Sequence, residues 1–215
     1  MMFKVDLHVH TVLGGDSSIE PEELAARSRE VGLDAVCVTE HNSYSLSAPF
    51  KAISRRAGFP IFRGMEYNAA EGHLLIYGVK AGKGDLPPKF PMQKAVDWVH
   101  ERGGIAIPAH PFQKDILGRR PGERVLDLKG LMALEVMNGS ASFEENRMAA
   151  EAAERLGING IGGSDAHGLL VLGRAYTQFP DAVRTEEELV HALRKGEYAA
   201  SWNEDYYGAD RRDCL

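Results

Sequence analysis

Short apolar runs recur along the chain, and between them the apolar positions fall at helical spacing, an alternation that predicts strand–helix units around a parallel sheet or barrel. Phe3 to Leu7 reads as the first strand, and the Ser18 to Glu23 stretch places serine and proline ahead of acids, which marks a helix start. That helix runs to about Val31 and Gly32 stops it. Ala35 to Thr39 is the second strand, Ser45 to Ala57 the second helix, and Pro60 to Gly64 opens a third strand. Leu74 to Val79, Ile105 to Pro108, Leu131 to Met137 and Ile158 to Ile161 are further strands. Met92 to Arg102 is an amphipathic helix with Ala95, Val96 and Val99 on one face, and Phe143 to Leu156 is a longer helix rich in Ala and Glu. The last helix spans Thr185 to Lys195, with a capping box in Thr185-Glu186-Glu187-Glu188 and Gly196 as its stop. Ala81 to Pro91 reads as a surface loop. The period is lost after Trp202, so we place one domain over 1–202 and a tail over 203–215.

The polar residues that interrupt this pattern sit at strand ends. His8 and His10 form a His-x-His pair on the first strand, where alternate side chains project to the same side. His41 follows the second strand, Glu66 the third and His110 the Ile105 to Pro108 strand; His73 precedes the Leu74 strand, and Asp165 and His167 follow the last one. In parallel strand–helix folds the carboxyl ends share one face, so these groups are expected to converge. They include six of the eight histidines. The other two, His100 and His191, lie within helices and read as surface or half-buried residues without a catalytic role.

Imidazole mixed with carboxylate suits Zn, Mn or Fe better than Ca, and with only two cysteines, Cys37 and Cys214, a structural zinc site is not expected. Adding the loop acid Asp16 gives nine candidate ligands, His8, His10, Asp16, His41, Glu66, His73, His110, Asp165 and His167, enough for three cations with positions left open. A polynuclear site clamps the attacking and leaving oxygens of a phosphate, so phosphoester hydrolysis is its natural use.

Composition narrows the partners. The chain has 215 residues, a net charge of -6 and a pI of about 5.8, which argues for one domain and against a stable nucleic-acid partner, while leaving room for a small phosphorylated substrate. No stretch has the length and apolarity of a signal peptide or a membrane span, and the cysteine usage fits a reducing compartment, so no membrane partner and a cytoplasmic location are expected.

Four motifs carry a family resemblance: Asp6-Leu7-His8-Val9-His10-Thr11; Thr39-Glu40-His41-Asn42; Gly64-Met65-Glu66 with Ala109-His110-Pro111; and Gly163-Ser164-Asp165-Ala166-His167. Together they resemble the polymerase and histidinol phosphatase (PHP) superfamily over nearly the whole chain. The resemblance implies an α/β fold, a distorted seven-stranded (β/α) barrel related to the TIM barrel. It also implies three divalent or mixed-valence ions per chain, Mn, Fe or Zn, and phosphoester hydrolysis. By position, it implies one metal on His8, His10, Glu66 and Asp165, a second on Glu66, His73 and His110 with Glu66 bridging, and a third on Asp16, His41 and His167. Two positions depart from the family pattern: Glu40 stands where Asp is commoner, and the loop acid occurs as Gly14-Gly15-Asp16-Ser17, where Asp16 also reads as a helix cap.

The mechanism expected from such a site is attack on phosphorus by a metal-bridging hydroxide held by Glu66, Asp165 and His167. Arg119 and Arg120, in the basic loop from Lys114 to Arg124, and Arg174 are candidate partners for substrate phosphate, and Asn138 ends a strand on the site face. Short chains of this kind resemble general phosphoesterases of nucleotides or other small phosphates. Histidinol-phosphatase-like and short-oligonucleotide exonuclease activities are the alternatives. An amidohydrolase-like C–N hydrolase shares the His-x-His strand but commonly uses a bridging carboxylated lysine, for which this reading finds no counterpart. A non-catalytic metal-stabilised module is opposed by the full ligand set.

Overall fold

The computed structural model describes residues 2–116 and 118–207. In chain order the elements are β1 (Phe3–Val9), α1 (Pro21–Glu30), β2 (Ala35–Val38), α2 (Phe50–Ala57), β3 (Ile61–Arg63), β4 (Met65–Asn68), β5 (His73–Tyr77), α3 (Met92–Glu101), β6 (Ile105–Pro108), β7 (Ala133–Asn138), α4 (Phe143–Leu156), β8 (Asn159–Gly163), β9 (Ala175–Phe179), α5 (Glu186–Lys195), β10 (Ala199–Trp202) and α6 (Glu204–Tyr207). Short 3₁₀ turns cover Tyr44–Ser47 and Gly122–Asp127.

The fold is mixed α/β, and among the described residues the strands are not joined into the one closed seven-stranded barrel expected from the sequence. They divide into three sheets, ordered β10-β9-β1-β2-β3, β4-β5-β6 and β7-β8. The β1-β2-β3 and β7-β8 pairs are parallel, whereas β5 runs antiparallel to β4 and β6, and β9 antiparallel to β1 and β10. The β3/β4 break falls at Gly64, where an added Cβ would lie 3.0 Å from the Ile76 carbonyl oxygen and from the Tyr77 ring.

Three strands escape the sequence pattern. β4 (Met-Glu-Tyr-Asn) and β9 (Ala-Tyr-Thr-Gln-Phe) mix polar and apolar residues, and β10 is only partly covered. The second helix also differs from expectation. Pro49 has no N–H to continue a helical ladder, so a 3₁₀ turn precedes it and α2 begins after it. The capping box expected at α5 is half formed: Thr185 accepts from Glu188 N at 3.0 Å, but the Glu188 carboxylate accepts from Arg184 N at 2.7 Å. Both halves are present at α4, between Ser142 and Glu145.

The strands enclose a core of Val5, Leu7, Leu75, Tyr77, Ile105, Ile107, Ile161 and Phe179, against which Leu189 and Leu193 of α5 pack. The Tyr77 hydroxyl donates to the Leu7 carbonyl at 2.9 Å and so avoids an unpaired buried oxygen. Cys37 is buried in β2. The beginning of the tail packs onto this body: Asn203 Nδ2 donates to the Val31 carbonyl at 3.0 Å, and the Tyr206 hydroxyl donates to the Leu172 carbonyl at 2.9 Å while accepting from Arg27. The rest of the tail, 208–215, lies outside the described residues. Among the described residues no helix is long and apolar enough to cross a membrane.

Candidate metal centre

β1 presents His8 and His10 on the same side, both fully buried, with their Nε2 atoms 3.1 Å apart. Glu66 reaches the same point from β4. Its Oε2 lies 3.2 Å from His10 Nε2, 3.2 Å from His41 Nδ1 and 3.5 Å from His8 Nε2. Its Oε1 lies 2.7 Å from His73 Nδ1 and 3.1 Å from His110 Nε2. Asp165 Oδ1 approaches His8 Nε2 at 3.4 Å, His10 Nε2 at 3.5 Å and His167 Nδ1 at 3.6 Å. At the outer side, Asp16 Oδ2 lies 3.0 Å from His41 Nε2 and 3.6 Å from His167 Nε2. Asp16 does not cap the following helix, whose N-cap is Glu20.

The strand-end argument holds for a modified reason. His73 begins its strand instead of ending it, yet because β5 runs backwards its first residue pairs with Asn68, the last of β4, at the site end. His41 is joined to Glu66 by an isolated parallel bridge. Close approach of β8 to β1 requires glycine: a Cβ on Gly163 would lie 2.5 Å from His8 Cβ and 2.9 Å from His8 N. His110 and Asp165 hold left-handed backbone at φ 27° and 52°, and Asn42, after His41, sits at φ 57°. Backbone strain of this kind gathers where a site over-determines geometry.

These side chains form four overlapping clusters: His8, His10 and Glu66; His8, His110 and Asp165; Glu66, His73 and His110; and His10, Asp16, His41 and His167. The donor set fits transition-metal ions. Five imidazoles crowd one carboxylate, and among the described residues the buried Nδ1 atoms of His10 and His41 make no well-directed hydrogen bond, the His41 approach to Glu66 being an ion-pair contact only. The electrostatics favour the ionised carboxylates. Burial alone would raise Glu66, but the imidazoles of His73 and His8, with hydrogen bonds from His10 and His110, hold it well below the usual carboxylate range. Asp165, likewise opposed by burial, is held at about 2 by His8 and His110. His8 is held up against burial by Asp165, Glu135 and Glu66, whereas burial lowers His41.

Three buried acids that support this cluster were not assigned roles from sequence. Asp6 accepts from Ser164 N at 2.8 Å, Gly173 N at 3.0 Å and His8 N at 3.2 Å, fastening β1 to the segment that carries Asp165; burial raises it to about 6. Glu40 accepts from the Thr11 hydroxyl, and burial raises it to about 7. Glu135, on β7, accepts from His8 Nδ1 at 2.9 Å. The available signal was a charged residue inside an apolar strand run, as in Val5-Asp6-Leu7 and Leu134-Glu135-Val136.

The candidates for substrate contact fare differently. Asn138 is fully buried and its amide is engaged internally. Its Nδ2 donates to Glu135 at 3.0 Å and Asp165 at 3.4 Å, and its Oδ1 accepts from Ser140 N and Ala141 N. Arg119 pairs with Asp115 at 2.7 Å and Arg120 donates to the Phe112 carbonyl at 2.7 Å, so both brace their own loop. Arg174 is half-buried beside Gly139 and Ser164, and its guanidinium makes no hydrogen bond or ion pair among the described residues. His100 accepts from Ala106 N at 3.3 Å, and His191 is exposed on α5; neither joins the clusters.

Fold and site together define an α/β protein with a buried cluster of histidines and carboxylates that could hold metal ions. Two family models match parts of the chain: the PHP domain over residues 6–83 and the PHP-associated family over residues 143–198. It is 28% identical over 145 residues to an uncharacterized protein of Methanocaldococcus jannaschii, covering 63% of this chain and 81% of that one. It is 38% identical over 79 residues to the 3',5'-nucleoside bisphosphate phosphatase of Chromobacterium violaceum, a match covering 35% of this chain and 27% of the phosphatase. In fold it is similar to a two-domain protein of Bacteroides vulgatus that contains a "predicted PHP-like metal-dependent phosphoesterase". The TM-score is 0.73 at 21% identity, over 95% of this chain and 66% of that one.

Proposed function

We propose that this chain is a metal-dependent phosphoesterase that hydrolyses small phosphate esters, a nucleotide or a related phosphomonoester, at a centre of three ions. The observation that carries the reading is the division of Glu66: one oxygen faces His73 and His110, the other His8, His10 and His41. In this reading His8, His10, Glu66 and Asp165 hold one ion, Glu66, His73 and His110 a second, and Asp16, His41 and His167 a third. When bound, the ions supply the Lewis-acid charge that acidifies water and offsets the negative charge of a phosphate.

The protein's own groups define where substrate enters. Glu66 and His8 form the floor, with side chains 2% and 0% exposed, while His41, Asp16 and His167 are 25%, 35% and 40% exposed and form the open side. A phosphate arriving there meets imidazole and carboxylate first, and Arg174, whose guanidinium is without a hydrogen bond or ion pair among the described residues, is the candidate planar cation for its free oxygens. The place a carboxylated lysine would take in an amidohydrolase-like site is held by Glu66, which favours phosphoester over C–N hydrolysis.

The test is phosphate release from nucleotides, nucleoside bisphosphates, sugar phosphates and histidinol phosphate by metal-stripped protein, with and without added Mn²⁺. Metal-dependent release supports the reading and the preferred substrate sets the subclass. Absence of release from every substrate by protein whose metal content has been verified contradicts it.

A further inference from the structure

Glu135 sits under the centre at the crossing of three strands. It is fully buried, and its two oxygens serve different parts of the site. Oε1 accepts from His8 Nδ1 at 2.9 Å. Oε2 accepts from the backbone N–H of His110 at 2.8 Å and from Asn138 Nδ2 at 3.0 Å. The same Asn138 amide reaches Asp165 Oδ2 at 3.4 Å.

Each contact removes a freedom the site cannot tolerate. A proton kept on His8 Nδ1 leaves Nε2 as the lone-pair nitrogen, aimed at the point shared with His10 Nε2 and Glu66. The bond to His110 N anchors a residue at φ 27°, a conformation that costs free energy and persists only where neighbours hold it. Asn138 carries the support on to Asp165, itself at φ 52°.

We propose that Glu135 is a positioning residue that braces the two inner ligand groups together, His8, His10, Glu66 and Asp165 on one side and Glu66, His73 and His110 on the other. It makes no direct contact with the outer group of Asp16, His41 and His167, which meets the inner ones through Glu66, His10 and Asp165. The inference rests on the metal-centre reading above. It predicts selectivity, because no hydrogen bond joins Glu135 to Asp16, His41 or His167, whereas its two oxygens hold a residue of each inner group.

The experiment is Zn²⁺ binding to metal-stripped protein, measured by competition with a chromogenic chelator and by ions retained per chain. It compares wild type, Glu135→Ala, Glu135→Gln, His8→Ala and His41→Ala. Outer carbonyl and carboxylate partners of histidine ligands typically set about 10- to 100-fold in metal affinity. Glu135→Ala is therefore expected to weaken the inner ions by about that factor, as His8→Ala does, while an outer ion lost in His41→Ala is retained. Glu135→Gln preserves volume but offers one acceptor oxygen, so its affinity falls between wild type and Glu135→Ala, and it serves as the reading if the alanine variant does not fold. Wild-type affinity in both Glu135 variants overturns the proposal while leaving the centre intact. Equal loss of all ions in both variants overturns it in favour of a general structural role. Failure of the wild type to bind Zn²⁺ overturns the centre and the proposal together.

Discussion

His73 stands opposite Asn68 in the antiparallel β4–β5 pair, and this places the first residue of β5 beside the carboxylate that β4 carries at Glu66. The reversed strand delivers an imidazole to the end of the fold where parallel strands deliver theirs at their carboxyl termini. The site is thus assembled from strands of both directions, with Glu66 as the shared member.

Replacing ligands should separate activity from folding. Asp165→Ala and His41→Ala are each expected to remove most phosphate release, at least about a hundredfold, while far-UV circular dichroism is retained. His100→Ala removes an acceptor for Ala106 N, so it should cost about 1 kcal/mol of stability and leave turnover unchanged. Normal turnover in both ligand variants would contradict the assignment.

Gly163→Ala should be costly for a packing reason. The new methyl would lie 2.5 Å from His8 Cβ with backbone close behind, so β8 must move away from β1. Overpacking of this kind costs about 1–3 kcal/mol, read as a lower urea midpoint, and the displaced His8 should weaken metal binding as well. An unchanged midpoint would show that the strands are not in the contact described.

Asp6 gives a pH signature in the metal-free protein. Its carboxyl is raised from 3.8 to about 6 by burial, so between those values the folded chain holds a proton that the unfolded chain has released. Stability from this group is therefore present below the lower value and declines as pH rises through the upper one. Relative to Asp6→Asn, which is neutral throughout, wild type should lose stability as pH rises from about 4 to about 6, measured by urea unfolding at both values. Parallel pH profiles for the two proteins would refute the shift.

Arg174→Ala should raise KM for a phosphomonoester by about tenfold or more with a smaller effect on kcat, because a charge-assisted contact of about 1.5–3 kcal/mol is lost. Arg119→Ala is the comparison: its guanidinium is engaged by Asp115, so its loss should act on loop stability instead of KM. Equal KM effects from both would remove Arg174 from the substrate's path.

The centre was more legible in the sequence than the frame around it. His8 and His10 announce themselves by alternate spacing on an apolar strand, His110 by standing directly after one, and Glu66, Asp165 and His167 by following strand runs within a few residues. The sheet directions were not readable that way, because the apolar run of β5 looks the same in either direction, and only pairing distinguishes it. Strand β9 was missed because Thr177 and Gln178 interrupt its apolar residues, and sequence does not report that Thr177 is buried with its hydroxyl bonded to the Gly162 backbone. Asn138 ends its strand, and sequence does not report that its amide is spent on Glu135 and Asp165. The supporting acids Asp6, Glu40 and Glu135 carry no spacing signature, since their roles depend on neighbours far away in the chain.

The most direct test of the account is to add Mn²⁺ stepwise to metal-stripped protein and follow phosphate release together with ions retained per chain, for wild type and for Glu66→Gln. The account predicts that wild-type activity rises from baseline as the ions bind, and that the variant, deprived of its shared carboxylate, retains fewer ions and stays near baseline. Full turnover by Glu66→Gln, or wild-type turnover that is independent of added metal, would contradict it.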